Sequence, residues 1–233
     1  MKGHLIVIPA RLESSRFPRK VLADMAGKPM LQCTWETACR VLPADNVAIA
    51  TDSDEVEDVA CKFGAVVIRT SEQCRNGTER VAEVVRKYSN AKRIVNLQAD
   101  EPCIQSGLLR SLLDCRLERD EIGTVAQPIQ PRELEDRNAV KVAVTAAGHV
   151  AWFSRGPFTP MPEFTHVGVY AFQKETLFDC VRMDVTTWEM NEQLEQLRWL
   201  DHGCRFRVLL HFGTHIPSVN APRDLEAALR FLT

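Results

Sequence analysis

Short β-branched runs alternate with amphipathic helical segments over the first two-thirds of the chain, and this order restricts the fold more than any other feature. Leu5 to Ile8, Val47 to Ala50, Ala65 to Ile68 and Arg93 to Leu97 read as buried strands. Met30 to Val41 reads as a helix, with Leu31, Thr34, Trp35, Ala38 and Val41 at helical spacing. Ser53 or Asp52 can cap a second helix through Phe63, whose acidic first turn suits the helix dipole and which Gly64 closes. Thr78 to Tyr88 reads as a third, and Ser106 caps a fourth through about Glu118. Repeated strand–helix order predicts an α/β fold: a mostly parallel sheet with helices on both faces.

The pattern then changes. Thr124 to Ile129, Val140 to Val144, Val150 to Phe153 and Val167 to Phe172 read as strands without long helices between them. Gly156 to Phe164 carries Pro157, Pro160 and Pro162 and reads as irregular loop. Trp188 to Asp201 reads as one helix, apolar along Leu194, Leu197 and Leu200 and polar along Glu189, Glu192, Gln193 and Gln196. A late strand, Arg205 to His211, and a terminal helix, Pro222 to Leu232, complete the chain. The expectation is a single domain over residues 1–233 with a small antiparallel insertion at about Val140 to Phe172.

Composition removes several classes of function. A net charge of −2 supplies no global field for nucleic acid. No apolar run is long enough to span a bilayer, and the N-terminal apolar stretch is too short for a signal peptide. These point to a cytoplasmic protein with no nucleic-acid or membrane partner. The 8 cysteines include no C-x-x-C pair, and five of them (Cys33, Cys39, Cys61, Cys115, Cys180) lie in helix-like segments, so reduced thiols are expected.

Polar residues gather just past the strands, where open α/β sheets bind ligands. Pro9 and Ala10 end the first strand, and the loop after it carries Arg11, Arg16, Arg19 and Lys20 with Ser14 and Ser15. Such a loop is either a polyanion site or a solvated basic loop. Guanidinium groups suit bidentate phosphate recognition, and a lysine adds a mobile point charge. Thr51 and Asp52 follow the second strand, and Arg75 to Arg80, including Asn76, Gly77 and Thr78, follow the third. Gln98 to Pro102 follow the fourth. Asp100 and Glu101 there suit a hard cation, since magnesium is held by one or two carboxylates plus substrate phosphates. Asn76-Gly77-Thr78 reads as a helix-capping turn or as backbone close to a phosphate or base. No P-loop, G-x-G-x-x-G or G-x-S-x-G is present. Of the histidines, only His166 begins a strand beside a Pro-rich loop; the others read as surface or structural.

Ordered motifs across nearly the whole chain resemble the sugar-acid cytidylyltransferases, closest to the 3-deoxy-manno-octulosonate (Kdo) branch of that family. They are P-A-R-L-E-S-S-R-F-P-R-K from Pro9, G-K-P-M from Gly27, A-T-D from Ala50, N-G-T-E-R from Asn76 and V-N-L-Q-A-D-E-P from Val95. N-A-V-K-V from Asn138, F-S-R from Phe153, H-V-G-V-Y from His166 and E-Q-L-E-Q-L-R from Glu192 continue the series. The resemblance implies a Rossmann-like fold of the nucleotide-diphospho-sugar transferase type, with an acceptor-binding and dimerisation subdomain at about 138–172. It implies transfer of CMP from CTP to an acidic sugar with magnesium and release of pyrophosphate, for lipopolysaccharide or related glycan synthesis, by a homodimer.

Carried over by position, Lys20, Arg11, Arg16 and Asp100 would be catalytic. Pro9, Ala10, Arg11, Ser15, Arg16, Lys20, Thr51, Asp52, Asn76, Gly77, Thr78 and Asp100 would bind the nucleotide. Arg80, Gln98, Arg155, His166, Tyr170, Glu192 and Gln196 would line the acceptor side. The family's closing G-V-D-T-P-E-D-L is here S-V-N-A-P-R-D-L, which puts Asn220 beside Asp100 as the second metal ligand, an uncharged one. Ala99 and Arg19 stand where the family has glycine, Arg19 adding a cation at the phosphate loop. The segment from Arg155 to His166 is shorter than in the Kdo branch. A different acid, such as a phosphonate or amino-sugar acid, and a non-catalytic nucleotide-binding protein are the alternatives.

Overall fold

A computed structural model describes residues 3–13, 17–88, 90–159 and 161–232. Its strands are β1 (His4–Pro9), β2 (Val47–Thr51), β3 (Val66–Arg69), β4 (Arg93–Leu97), β5 (Glu121–Pro128), β6 (Lys141–Val144), β7 (Val150–Ser154), β8 (Phe164–Gln173) and β9 (Arg205–Leu210). The α-helices are α1 (Met30–Cys39), α2 (Asp54–Lys62), α3 (Gly77–Lys87), α4 (Ser106–Asp114), α5 (Lys174–Cys180), α6 (Thr187–Glu192), α7 (Glu195–Asp201) and α8 (Leu225–Leu232).

The strands form one sheet in the order β3-β2-β1-β4-β8-β5-β9. β1, β2, β3 and β4 pair in parallel, as do β5 and β9, and β8 runs antiparallel between β4 and β5. Six of these seven strands therefore point one way, which puts their carboxyl ends and the start of β8 along one edge. The β6–β7 hairpin attaches to the first residues of β8.

Both faces of the sheet are covered, as the continuous apolar strands require. Leu5 and Val7 of β1 pack on one face with Val81, Val84 and Val85 of α3, Leu177 of α5 and Trp199 of α7. Ile6 and Ile8 point the other way, to Leu31 of α1, Val56 of α2 and Leu109 and Leu112 of α4. This is the two-residue period of a strand sorting its neighbours into opposite cores. Ser53 caps α2, its hydroxyl accepting from Val56 N at 3.3 Å, and Asn76 caps α3, accepting from Glu79 N at 2.9 Å.

The structure corrects two local expectations and adds two details that the pattern did not carry. The helix expected over Trp188 to Asp201 is two helices: Gln193 takes φ 53°, Leu194 is extended, and the axis turns between α6 and α7. The apolar spacing is continuous there because both pieces face the core, so periodicity could not reveal the break. α4 stops at Asp114, and Cys115 is extended. α5, a seven-residue helix directly after β8, is too short to show a helical period. β8 begins at Phe164 and joins the central sheet, so the antiparallel segment is woven into the main core.

Candidate active site

Loops from the carboxyl edge meet over one cavity of about 850 Å³. Gly77, Gln98, Asp100 and Glu101 line it from the parallel half of the sheet, His166, Gly168 and Tyr170 from β8, and Glu195 and Gln196 from α7. Arg155 and Asn220 complete its walls.

The cationic loop after β1 is tied across this edge. Lys20 is buried in a 3-10 turn, and its Nζ donates to Asp100 Oδ2 at 2.6 Å. Arg11 donates from Nη2 to Cys74 O at 2.5 Å, joining the loop after β1 to the loop after β3. Ser15 and Arg16 lie outside the described residues. Arg19 does not add a cation here: it occupies the left-handed region at φ 57°, a conformation that favours glycine, and its guanidinium pairs with Glu55 of α2.

Asp100 and Glu101 differ sharply in surroundings. Asp100 retains about a quarter of its side-chain exposure (27%) and faces the cavity. Glu101 is buried, accepts from Gly168 N at 2.8 Å and from Ser218 Oγ at 2.8 Å to both oxygens, and sits against Asp100. Burial first, and the neighbouring Asp100 charge second, push its carboxyl well above the usual range. Glu101 is thus a buried strut for Ser218, not the cation ligand its sequence position allowed. The fit at Gly168 is close: an added Cβ would lie 2.8 Å from Glu101 Oε1.

The segment carrying Asn220 docks on these acids. Val219 N donates to Asp100 O at 3.0 Å, and Asp224 Oδ2 accepts from the backbone of Asn220 and Ala221, each at 2.8 Å. Asn220 and Asp100 therefore line the same part of the cavity. Among the described residues, no group of three or more His, Cys, Asp or Glu side chains is arranged to hold a metal ion.

A hydrogen-bonded relay runs beneath the cavity floor. Gln98 Nε2 donates to Asn96 Oδ1 at 3.0 Å, Asn96 Nδ2 to Thr78 Oγ1 at 3.3 Å, and Thr78 Oγ1 to Glu195 Oε2 at 2.8 Å. Burial pushes the Glu195 carboxyl up to about 7. Gly77 opens α3 where a Cβ would meet Pro9 Cγ at 3.2 Å, which keeps the helix start close to the end of β1. His166 Nε2 lies 2.8 Å from Thr124 Oγ1, whose proton goes to Val169 O at 2.8 Å, so the ring carries its hydrogen on Nε2. Burial lowers His166 to about 3 and raises Tyr170, so both are neutral hydrogen-bonding groups at physiological pH.

Other expected residues lie off the cavity. Arg80 is fully buried, its guanidinium held by Asp52 and Thr70, so it fixes the loops after β2 and β3. Asp52 is correspondingly occupied, and Thr51 Oγ1 accepts from Ser53 N at 3.2 Å. Glu192 accepts from Arg155 N at 2.8 Å. Glu195, Ser218 and His215 are cavity residues that sequence reasoning did not single out. Glu195 was hidden by the unbroken-helix reading, which set Glu192 and Gln196 on one face.

The cytidylyltransferase family pattern matches residues 5–206. The chain belongs to the cytidylyltransferase family. Among curated relatives of this cytidylyltransferase, the 3-deoxy-manno-octulosonate cytidylyltransferase of Chlorobium chlorochromatii is 38% identical over 95% of this chain and 94% of its own length. The Chlamydia pneumoniae protein of the same name is 37% identical over 97% and 92%. Among solved structures, a CMP:2-keto-3-deoxy-manno-octonic acid synthetase complexed with CTP superposes with a TM-score of 0.86 at 33% identity, covering 98% of both chains. The chain is therefore a nucleotidyltransferase enzyme, and no helix among its described residues is long and apolar enough to cross a membrane.

Proposed function

We propose that this enzyme transfers CMP from CTP to Kdo and releases pyrophosphate. The observation that carries the reading is the Lys20–Asp100 pair, 2.6 Å apart, whose Asp100 lines one end of a cavity that continues to Gln98, His166, Tyr170 and Gln196. That arrangement occurs in a chain closely related to proteins named for the same reaction. Arg11, Arg16 and Lys20 hold the triphosphate. The acceptor hydroxyl attacks the α-phosphorus, and Lys20 stabilises charge growing on the phosphoryl oxygens and on the departing pyrophosphate. Such a step depends mainly on positioning and electrostatics. Gln98, His166, Tyr170 and Gln196 orient the acceptor, while Arg80 and Glu192 act through the loops they hold. The alternatives, a different acid or a non-catalytic protein, have no comparable support.

Magnesium fits the oxygen donors present. Asp100 contributes a cavity-facing carboxylate and Asn220 an amide oxygen, hard ligands of the kind Mg²⁺ takes alongside substrate phosphates. When bound, the ion supplies positive charge to the phosphates. Use of CTP as substrate supports a cytoplasmic location. A homodimer fits the exposed apolar residues Met161 (72%) and Phe212 (71%), the latter edge-on to Phe164 at the start of β8.

The deciding experiment measures pyrophosphate release from CTP with Mg²⁺ over Kdo, its 8-amino analogue, neuraminic acid and simple phosphonates. Release with Kdo is expected, and no release with any sugar acid would reject the reading.

A further inference from the structure

Four cations gather at one corner of the acceptor cavity, Lys141 behind its wall and Arg137, Arg155 and Arg223 lining it, and three of them are already committed. Lys141 is fully buried and donates from Nζ to Asp136 O at 2.6 Å and Arg155 O at 3.0 Å. Arg155 donates from Nε to Glu192 O at 2.9 Å, from Nη1 to Arg137 O at 3.0 Å and from Nη2 to Gln193 O at 3.1 Å. All three guanidinium nitrogens thus grip main-chain carbonyls, two of them at the turn between α6 and α7. Arg223 pairs with Asp136 Oδ2 at 2.8 Å.

Arg137 differs. Its backbone is fixed on every side. Asp136 O also accepts from Ala139 N at 3.1 Å, Asp136 Oδ1 accepts from Asn138 N at 2.9 Å, and Arg155 holds the Arg137 carbonyl. Its side chain is exposed and lines the cavity, with Nη1 4.0 Å from where a Cβ on Gly156 would sit. Among the described residues, its guanidinium has no hydrogen bond or ion pair. The acids on the same loop do not claim it. Asp136 is paired with Arg223, Glu133 binds His215 Nε2 at 2.9 Å, and no ion pair joins Glu135 to Arg137. Arg132 also lines the cavity, but on the outer 3-10 turn, Pro131–Glu133, ahead of this fixed turn.

We propose that Arg137 receives the carboxylate of the acid acceptor, and that Arg155 is the positioning residue that holds both the Arg137 backbone and the α6–α7 corner. A planar guanidinium with its donors unspent matches a carboxylate bidentately. This assignment rests on the reading that the acceptor is a sugar acid. It makes the residue two positions after Glu135 a determinant of acid specificity, and moves Arg155 from ligand to framework.

The test compares Kdo with its uncharged carboxamide in the wild type, Arg137→Gln, Arg137→Lys and Arg155→Gln, with melting curves to establish folding. The wild type should prefer the acid. Arg137→Gln should raise KM for the acid roughly 10- to 100-fold, the loss of one charge-assisted contact. It should leave kcat within a few-fold, the KM for CTP unchanged and the carboxamide unaffected, so the preference collapses. Arg137→Lys should restore part of it. Arg155→Gln should weaken acid and carboxamide alike. Titration calorimetry of the acid against enzyme loaded with a non-hydrolysable CTP analogue should show the same loss. The inference fails if Arg137→Gln affects both ligands equally or neither, or if Arg155→Gln alone removes the preference. A wild type that ignores Kdo but uses another acid refutes the substrate reading alone, and the same four proteins are then compared on that acid and its amide. A wild type inactive with every acid refutes both.

Discussion

Replacing Lys20 by methionine keeps most of the apolar stem of the side chain and removes its terminal ammonium. The ammonium lies 2.6 Å from Asp100 Oδ2, with side-chain exposures of 11% and 27%. At that separation the attraction is about 2 kcal/mol in bulk water and about 6 kcal/mol at an effective dielectric of 20. The partly exposed Asp100 places the pair between those limits and gives the freed carboxylate access to water, so stability should change by only about 1 kcal/mol. The catalytic loss is larger, because charge on the α-phosphoryl group and the leaving pyrophosphate grows after binding. Removing one preorganised donor of that kind costs about 3–4 kcal/mol, or 10²–10³ in kcat. Losing its competing cation, Asp100 should also bind a divalent ion more tightly. Lys20→Met is therefore expected to lose 10²–10³-fold in pyrophosphate release while half-saturating at lower Mg²⁺. Turnover within tenfold of wild type, or an unchanged Mg²⁺ titration, would refute the reasoning.

Asn220→Asp should lower the Mg²⁺ concentration for half-maximal activity tenfold or more, about 2 kcal/mol being the attraction between one added charge and a doubly charged ion 4 Å away in water. With the ion chelated the variant should melt lower than wild type, since the new charge faces Asp100 and Asp224; an unchanged titration would remove Asn220 from the metal site. Glu195 holds its proton up to about 7 in the folded protein against an ordinary 4.5. Folding thus gains from that proton below the ordinary carboxylate range and loses the gain as pH rises to about 7. Glu195→Gln should flatten the melting temperature over that interval, and an undiminished slope would count against the assignment. Trp199, fully buried and packed against Tyr170 (5.4 Å), Phe172 (5.6 Å) and Phe206 (6.0 Å), should cost about 3–5 kcal/mol on replacement by alanine in urea unfolding. A loss under 1 kcal/mol would mean the cluster is not a packing centre.

The parallel half of the sheet was legible because its strands are buried on both faces and separated by helices with clear caps and periods. Its polar loops were legible too, since strand ends mark the ligand edge: Arg11, Lys20, Gln98 and Asp100 fall where the pattern put them. What stayed hidden depended on tertiary partners. Gln193 takes φ 53° where Arg155, just past the end of β7 and some forty residues earlier, grips the Glu192 and Gln193 carbonyls, and no local signal announces that. Arg80 looked like a ligand in an N-G-T-E-R motif, yet a carboxylate after β2 and a hydroxyl after β3 consume it. The contrast between Asp100 and Glu101 could not be read from adjacency, because Ser218 and Gly168, far along the chain, decide it.

The reversed strand β8 has a consequence for how the chain is made. β4 pairs with β1 on one side as soon as it emerges, but its other edge, Arg93 to Leu97, waits for Val169 to Gln173. Residues 98–163 separate β4 from β8, which at 5–20 residues per second is a delay of roughly 3–13 s during synthesis. Through that interval a finished four-strand parallel layer carries an open border, apolar at Ile94, Val95 and Leu97, of the kind that captures stray strands. The nascent enzyme is thus most open to mispairing and to chaperone capture before the cavity wall carrying His166 and Tyr170 exists, and the arrival of β8 closes that border and completes the wall in one event.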